Sequence, residues 1–269
     1  MRRLLPLVLV FAVHASIPSL AQQGSSTEQV QVSPPTIQHV EPPPITATFE
    51  ELDKSGDRLR AEKSYLDALD YYRAALKKKP DSALTYNKIG IVELQIQRYK
   101  EARKDFEKAI KADKNFSNAY NNLGAVYYEQ KKYGSAIKQY EKALKLQPEV
   151  ATFYCNMGAA YFAKKDFEKA SLHYAKALEL DPDVLERHSR TGVSAQLPTP
   201  EDRAKYAFVM AKLYAKSGSI DRSLEYLKRA LEEGYKDIGD VYKDSEFAGL
   251  RKDPRFTSLM ESKPATIQE

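Results

Sequence analysis

Few side chains in this 269-residue chain are of types that do chemistry alone, and their spacing brings none of them together. The four histidines are His14, His39, His173 and His188. A catalytic or metal-bound imidazole needs a Cys, Asp or His at ligand spacing, and neither His173 nor His188 has one on its own helical stretch. His173 therefore reads as a solvated side chain on an outer helix. The single cysteine, Cys155, can form no internal disulfide and has no partners for a zinc site, so it reads as a partly buried, unreactive thiol. Carboxylates are plentiful, but they fall on wet helix faces and helix ends rather than in isolated acid–base pairs. There is no Gly-rich phosphate loop and no His-Glu-x-x-His. Neither a cofactor nor a metal is expected, and the chain reads as a non-enzyme. The net charge is +5, from 42 Lys+Arg against 37 Asp+Glu, with both signs interspersed. Lys77-Lys78-Lys79 and Lys131-Lys132 sit where cations complement helix ends. No nucleic-acid partner is implied.

The first residues read as an address. Arg2 and Arg3 precede an apolar run from Leu4 to Val13, and Ser19-Leu20-Ala21 offers small residues for cleavage. This is the order of a secretory signal peptide over 1–21, cut after Ala21, which predicts a secreted or periplasmic protein. The alternative is an uncleaved N-terminal anchor. The run is shorter than the about 20 apolar residues a bilayer span needs, so no stable membrane insertion is expected after cleavage. Residues 22–47 hold five of the 14 prolines and little that could form a core, which predicts a disordered Pro/Gln/Ser-rich linker.

Beyond the linker the chain repeats itself. Gly56, Gly90, Gly124 and Gly158 are each 34 residues apart, as are Ala68, Ala102, Ala136 and Ala170, and Ala75, Ala109, Ala143 and Ala177. Aromatic residues keep the same phase at Tyr72, Phe106, Tyr140 and Tyr174, and at Tyr65, Tyr99, Tyr133 and Phe167. Pro80, Pro148 and Pro182 close three of the units, with Lys114 in the other. The units are 49–82, 83–116, 117–150 and 151–184, with no insertion between them. Within each, apolar spacing predicts two amphipathic helices, small residues where they cross, aromatics filling the gaps, and a proline to stop the second helix. One such unit cannot bury its apolar face alone, so the units must stack.

The small residues at the eighth, twentieth and twenty-seventh positions, and Pro at the thirty-second, resemble the tetratricopeptide repeat (TPR) family over 48–184. The fourth position departs from that pattern, with Leu or Tyr where Trp is common. The resemblance implies an all-α, right-handed superhelical solenoid of helix-turn-helix units with a C-terminal helical cap. A degenerate fifth unit is expected over 204–237, with Ala207, Ala211, Tyr214, Ser223, Leu227 and Ala230 in the same columns. Before it, 185–203 reads as an insert loop ending in Thr199-Pro200-Glu201-Asp202, a helix start. Residues 238–262 are expected to form a cap of two short helices, and 263–269 a disordered tail. The stretch Glu246–Phe256 resembles the closing segment of bacterial secreted or periplasmic TPR proteins.

In such proteins the first helix of each unit lines a concave groove. That places Asn87, Lys88 and Leu94, then Asn121, Asn122 and Tyr128, then Asn156 and Phe162 on a peptide-binding surface, with small Ala125 and Ala159 leaving room. Asparagine can hydrogen-bond an extended backbone with both donor and acceptor; alternatively, these amides tie the helices to one another. The paired cations of a carboxylate clamp are missing. The expected function is that of an exported, non-catalytic scaffold holding a partner protein or peptide in its groove. The alternative is a structural assembly component of the bacterial cell envelope that uses the solenoid edges, insert and tail.

Overall fold

The computed structural model describes residues 42–185 and 199–262. The expected signal peptide with His14, the linker up to residue 41 with His39, residues 186–198 of the insert with His188, and the tail 263–269 lie outside the described residues.

Eight helices succeed one another as four pairs: α1 (Phe49–Ala61) with α2 (Tyr65–Lys78), α3 (Ala83–Gln95) with α4 (Tyr99–Ala112), α5 (Ser117–Glu129) with α6 (Tyr133–Leu146), and α7 (Ala151–Ala163) with α8 (Phe167–Leu180). The first begins at a capping box, in which the Thr48 side chain accepts from the Glu51 N–H and Glu51 reaches back to the Thr48 N–H. The pairs share one turn. Lys63, Gln97, Lys131 and Lys165 adopt φ of 62, 61, 59 and 62°, in the left-handed region. The N–H groups of Ser64, Arg98, Lys132 and Asp166 each bond back to the carbonyl five residues earlier, closing the end of the first helix.

The distance between the two helices of a pair is set by glycine. A Cβ on Gly56, Gly90 or Gly124 would lie 2.5, 2.6 or 2.4 Å from the ring of Tyr72, Phe106 or Tyr140. At Gly158 it would lie 3.0 Å from Tyr174. Each ring is pressed against bare backbone and is fully or almost fully buried, with the paired alanines buried around it. The core runs on from pair to pair through Leu69, Ile89, Val126, Ile137, Phe153 and Leu178. Among the described residues there is no strand, and no helix is long and apolar enough to cross a membrane.

The fifth pair, α9 (Pro200–Lys216) and α10 (Ile220–Glu232), departs from expectation in its direction. Helix α9 starts as the sequence suggests, with Thr199 accepting from the Asp202 N–H and Pro200 in the first turn. Had the pair continued the stack, Pro200 would lie at the edge where α8 ends. Instead Lys165, in the turn between α7 and α8, pairs with Asp202, and Phe162 at the end of α7 packs its ring on Tyr206 at 5.5 Å. At the opposite edge Arg222, early in α10, reaches the Pro182 carbonyl at 2.7 Å. Helix α9 therefore runs parallel to α8, and the pair is turned end for end relative to the four repeats. The cap also differs: three short 3-10 turns (Ile238–Tyr242, Ser245–Ala248, Leu250–Lys252) precede a single helix, α11 (Pro254–Ser262). Val241, Phe247, Leu250 and Phe256 seal the end of the last pair.

Gly124→Leu is expected to cost about 1–3 kcal/mol or more in a urea or thermal unfolding measurement, because Tyr140 cannot retreat. Gly134→Ala, with nothing within 4 Å of the added methyl, should be neutral or stabilising. Equal destabilisation by the two would remove the ring-on-glycine contact as the spacer.

Candidate functional site

The first helices α1, α3, α5 and α7 lie side by side and parallel, and their shared face is where the expected groove residues fall. Polar side chains cross from each to the next. Lys88 on α3 sits between two carboxylates of α1, at 2.6 Å from Asp53 Oδ2 and 2.7 Å from Asp57 Oδ2. Desolvation lowers the Lys88 pKa, but bonds to Asp53 and Asp57 outweigh it, so the ammonium is held above its usual range. Thr85 Oγ1 donates to Asp53, and the Tyr72 hydroxyl donates to Asp57 Oδ1 at 2.7 Å.

Farther along, charge gives way to amides. Asn122 Nδ2 donates to Asn87 Oδ1 at 2.9 Å, Asn121 Nδ2 to Asn122 Oδ1 at 3.3 Å, and Asn156 Nδ2 to Asn121 Oδ1 at 2.7 Å. The four amides form one ladder through α3, α5 and α7: the two bonds between repeats are donated toward the N-terminal side, and the bond from Asn121 to Asn122 lies within α5. The fifth and sixth positions thus bind across neighbouring repeats, which is the helix-tying reading of these asparagines. Asn87, Asn121 and Asn156 are buried, whereas Asn122 keeps partial exposure.

Two expected anchors are corrected. Tyr128 and Phe162 are core residues, 0 and 2% exposed, rather than groove walls. The twelfth position of the first helix points between its own repeat and the next. Tyr128 packs on Tyr133 at 5.4 Å, and Phe162 on Phe167 at 4.9 Å. Leu94, the same position in the second repeat, is half-buried and packs against the core between repeats, a third correction. Lys88 and Asn122 remain half-buried on the concave side, with Leu84 exposed one turn before Lys88.

The candidate reactive groups are quiet. Cys155 is fully buried, and desolvation pushes its thiol up to about 12. His173 is not solvated, as its outer-helix position suggested: it is half-buried, with its ring 5.3 Å from Tyr161 and 6.2 Å from Tyr154. Burial lowers its pKa. The tyrosines of the fourth and eleventh positions carried the signal for this sandwich, since both face the second helix. Among the described residues no group of three or more His, Cys, Asp or Glu could hold a metal. The end-for-end pair opens a cleft of about 780 Å³ at the edge, lined by Lys165, Phe167, Asp202, Lys205 and Tyr235 among others. Lys205 lies between the Phe167 and Tyr235 rings, at 5.4 and 5.2 Å.

The family model described as "TPR repeat" matches residues 92–131 and 126–165, and that described as "Tetratricopeptide repeat" matches 151–184. No curated protein matches the sequence. Similar solved structures include TTC0263, a thermophilic TPR protein in Thermus thermophilus, at 20% identity over 80% of this chain and 100% of that one, with a TM-score of 0.49. MamA is 22% identical over 68% of this chain and 96% of its own, with a TM-score of 0.47. YrrB, a TPR protein with an unusual peptide-binding site, is 20% identical over 72 and 90% of the two chains, with a TM-score of 0.46.

Asn156→Ala strands the Asn121 carbonyl in a buried place and is expected to cost about 1–3 kcal/mol of stability, read by chemical unfolding. An unchanged midpoint would mean that the ladder carries no energy. For His173 the folded-state pKa lies below the unfolded value of about 6.5, so the unfolded chain binds the proton more readily. Stability should be full above that value and fall as the pH drops toward the lowered folded pKa. His173→Phe should flatten this part of the unfolding profile, and an identical profile would contradict it.

Proposed function

We propose that this chain, a tetratricopeptide repeat protein by its own repeats, is an exported, non-catalytic scaffold that holds an extended segment of a partner protein. The observation that supports this best is the shared face of α1, α3, α5 and α7. It is continuous, fixed by hydrogen bonds and ion pairs between neighbouring repeats, and offers Leu84 and part of Asn122 to solvent. A face of this kind is preorganised, so a segment laid on it loses little to reordering of the scaffold. Export rests on the N-terminal sequence: a basic start, a ten-residue apolar run and small residues before Gln22. The quiet environments of Cys155 and His173 favour binding over catalysis.

The cleft between the turn at Lys165 and the reversed fifth pair supports a second reading. In it, contacts run along the solenoid edge and the protein acts as an assembly component of a bacterial envelope.

Export is checked by expressing the full chain in a bacterium with an outer membrane. A shortened soluble form beginning at Gln22 is expected, and Met1 recovered from the membrane fraction would overturn it. The groove is checked with a displayed library of random peptides. Leu84→Ala with Asn122→Ala should weaken the retained peptides about tenfold, whereas Leu172→Ala, on exposed α8 surface, should not. The opposite pattern would move the partner to the outer surface.

A further inference from the structure

The boundary between the second and third repeats breaks the columns that the other boundaries keep. Where the others have Pro80, Pro148 and Pro182, it has Lys114; where they have the acids Asp81, Glu149 and Asp183, it has Asn115. Two residues later, Ser117 stands in the place of Ala83 and Ala151. Together these changes produce Asn115-Phe116-Ser117, and Asn115 is the only asparagine of the chain with Ser or Thr two residues on. Asn-x-Ser with x other than Pro is the acceptor pattern for sugar on an asparagine amide. Asp113, two residues before Asn115, gives the segment an acidic entry.

The fold gives these residues no task that the usual ones fail to do. Asn115 is exposed in the turn between α4 and α5. Its backbone N–H donates to Asp113 Oδ1 at 2.9 Å, just as that of Asp183 donates to Asp181 Oδ1 at 3.1 Å. Among the described residues, the Asn115 side-chain amide makes no hydrogen bond. Ser117 is the first residue of α5 and 3% exposed, and its hydroxyl donates to the Gln147 side chain. Alanine fills the equivalent place in the neighbouring repeats, so packing does not call for a serine. A serine one residue earlier would cap the helix, as Ser82 caps α3 by accepting from the Thr85 N–H. Here that position is Phe116, which makes no cap bond. The serine stands where it completes the acceptor pattern rather than where it would start the helix.

We propose that Asn115 carries an N-linked glycan, attached during export by a membrane-bound transferase that takes the sugar from a lipid diphosphate. This rests on the export reading and names what is done to the chain on its way out. In the transfer, Asn115 Nδ2 bonds to C1 of the sugar and the bond from C1 to the diphosphate oxygen breaks. The lipid diphosphate leaves with that electron pair, and one amide proton passes to a base of the transferase. The Ser117 hydroxyl is closed off once the end of α6 has packed on α5, so transfer precedes folding of the third repeat. Afterwards the glycan projects from an exposed turn, at the edge opposite the Lys165 cleft, and no core side chain has to move.

The test is fragmentation mass spectrometry of the full chain recovered from the cells that make it, with the N-terminus read on the same sample. Sugar mass on Asn115 is expected in the parent and in Ser117→Thr. It should be absent from Ser117→Ala and Asn115→Asp, which restore the residue types of the other repeats and should fold. Membranes of those cells, supplied with the lipid-linked sugar, should modify a synthetic peptide spanning Lys111 to Ala119 but not the folded, unmodified chain. Equal modification of the two would overturn transfer before folding. A chain that begins at Gln22 with a bare Asn115 overturns the glycan and leaves export standing. Sugar on Asn115 of a chain that still begins at Met1 supports the glycan and overturns cleavage of the leader. Met1 together with a bare Asn115 overturns both.

Discussion

The whole structure depends on an aromatic ring pressed flat on a glycine. At Gly56, Gly90 and Gly124 there is no room for even one methyl group between the backbone of the first helix and the ring on the second. That contact fixes how closely the two helices of a repeat approach, and its recurrence every 34 residues makes the repeats superimposable. Identical repeats can then stack with a constant small rotation, which is what brings α1, α3, α5 and α7 into parallel array. A larger residue at one glycine would alter that repeat's thickness and so the register of every polar pair that spans from it to its neighbours.

Those polar pairs use the register in two ways. At the N-terminal end, Lys88 neutralises Asp53 and Asp57 and joins the first repeat to the second. From the second repeat to the fourth, the same positions carry uncharged amides. An ion pair in a half-buried place must offset the desolvation of two charges, whereas an amide pair loses less on burial. The change from charge to amide tracks the burial: the helices of the third and fourth repeats are covered more completely, with Ala125, Cys155, Ala159 and Phe162 all nearly inaccessible. The same burial goes with a central face that is hydrogen-bonded to itself, with Leu84 exposed and Asn122 half-buried.

The repeats were legible because each column answers to a constraint inside one repeat. Glycine, the paired alanines and the terminal proline mark crossings and helix ends, and they need no knowledge of the neighbours. The turn at Lys63, Gln97, Lys131 and Lys165 was not legible, since the left-handed residue is usually glycine and here only Gly218 of the last pair is. Of the expected groove residues, the sequence does not give the depth of Tyr128 and Phe162. Tyr128 and Phe162 occupy a position whose side chain points into the joint between repeats, and depth there is decided by residues about 30 positions away in sequence. The asparagines carry both readings in the sequence, and the structure adds the pairing of their amides across repeats. The direction of the fifth pair had no local sign at all: its apolar columns are those of a repeat, and they are unchanged when the pair is turned over.

That reversal limits what the concave face can do. A solenoid that continued would extend the row of first helices, but α9 enters from the other edge and runs with α8 instead. Among the described residues the row of parallel first helices therefore ends at α7. With neighbouring helices roughly 10 Å apart, four of them offer a track of about 30 Å, enough for roughly nine residues of extended chain. Only the middle of that track is uncharged, between the Lys88 cluster and the buried flank of α7. On the proposed groove reading, a segment that fits this track would present neutral polar or small apolar groups at its centre, with any charge toward the first repeat. On that reading the length of the track follows from topology, and its charge from the cluster of Lys88 with Asp53 and Asp57.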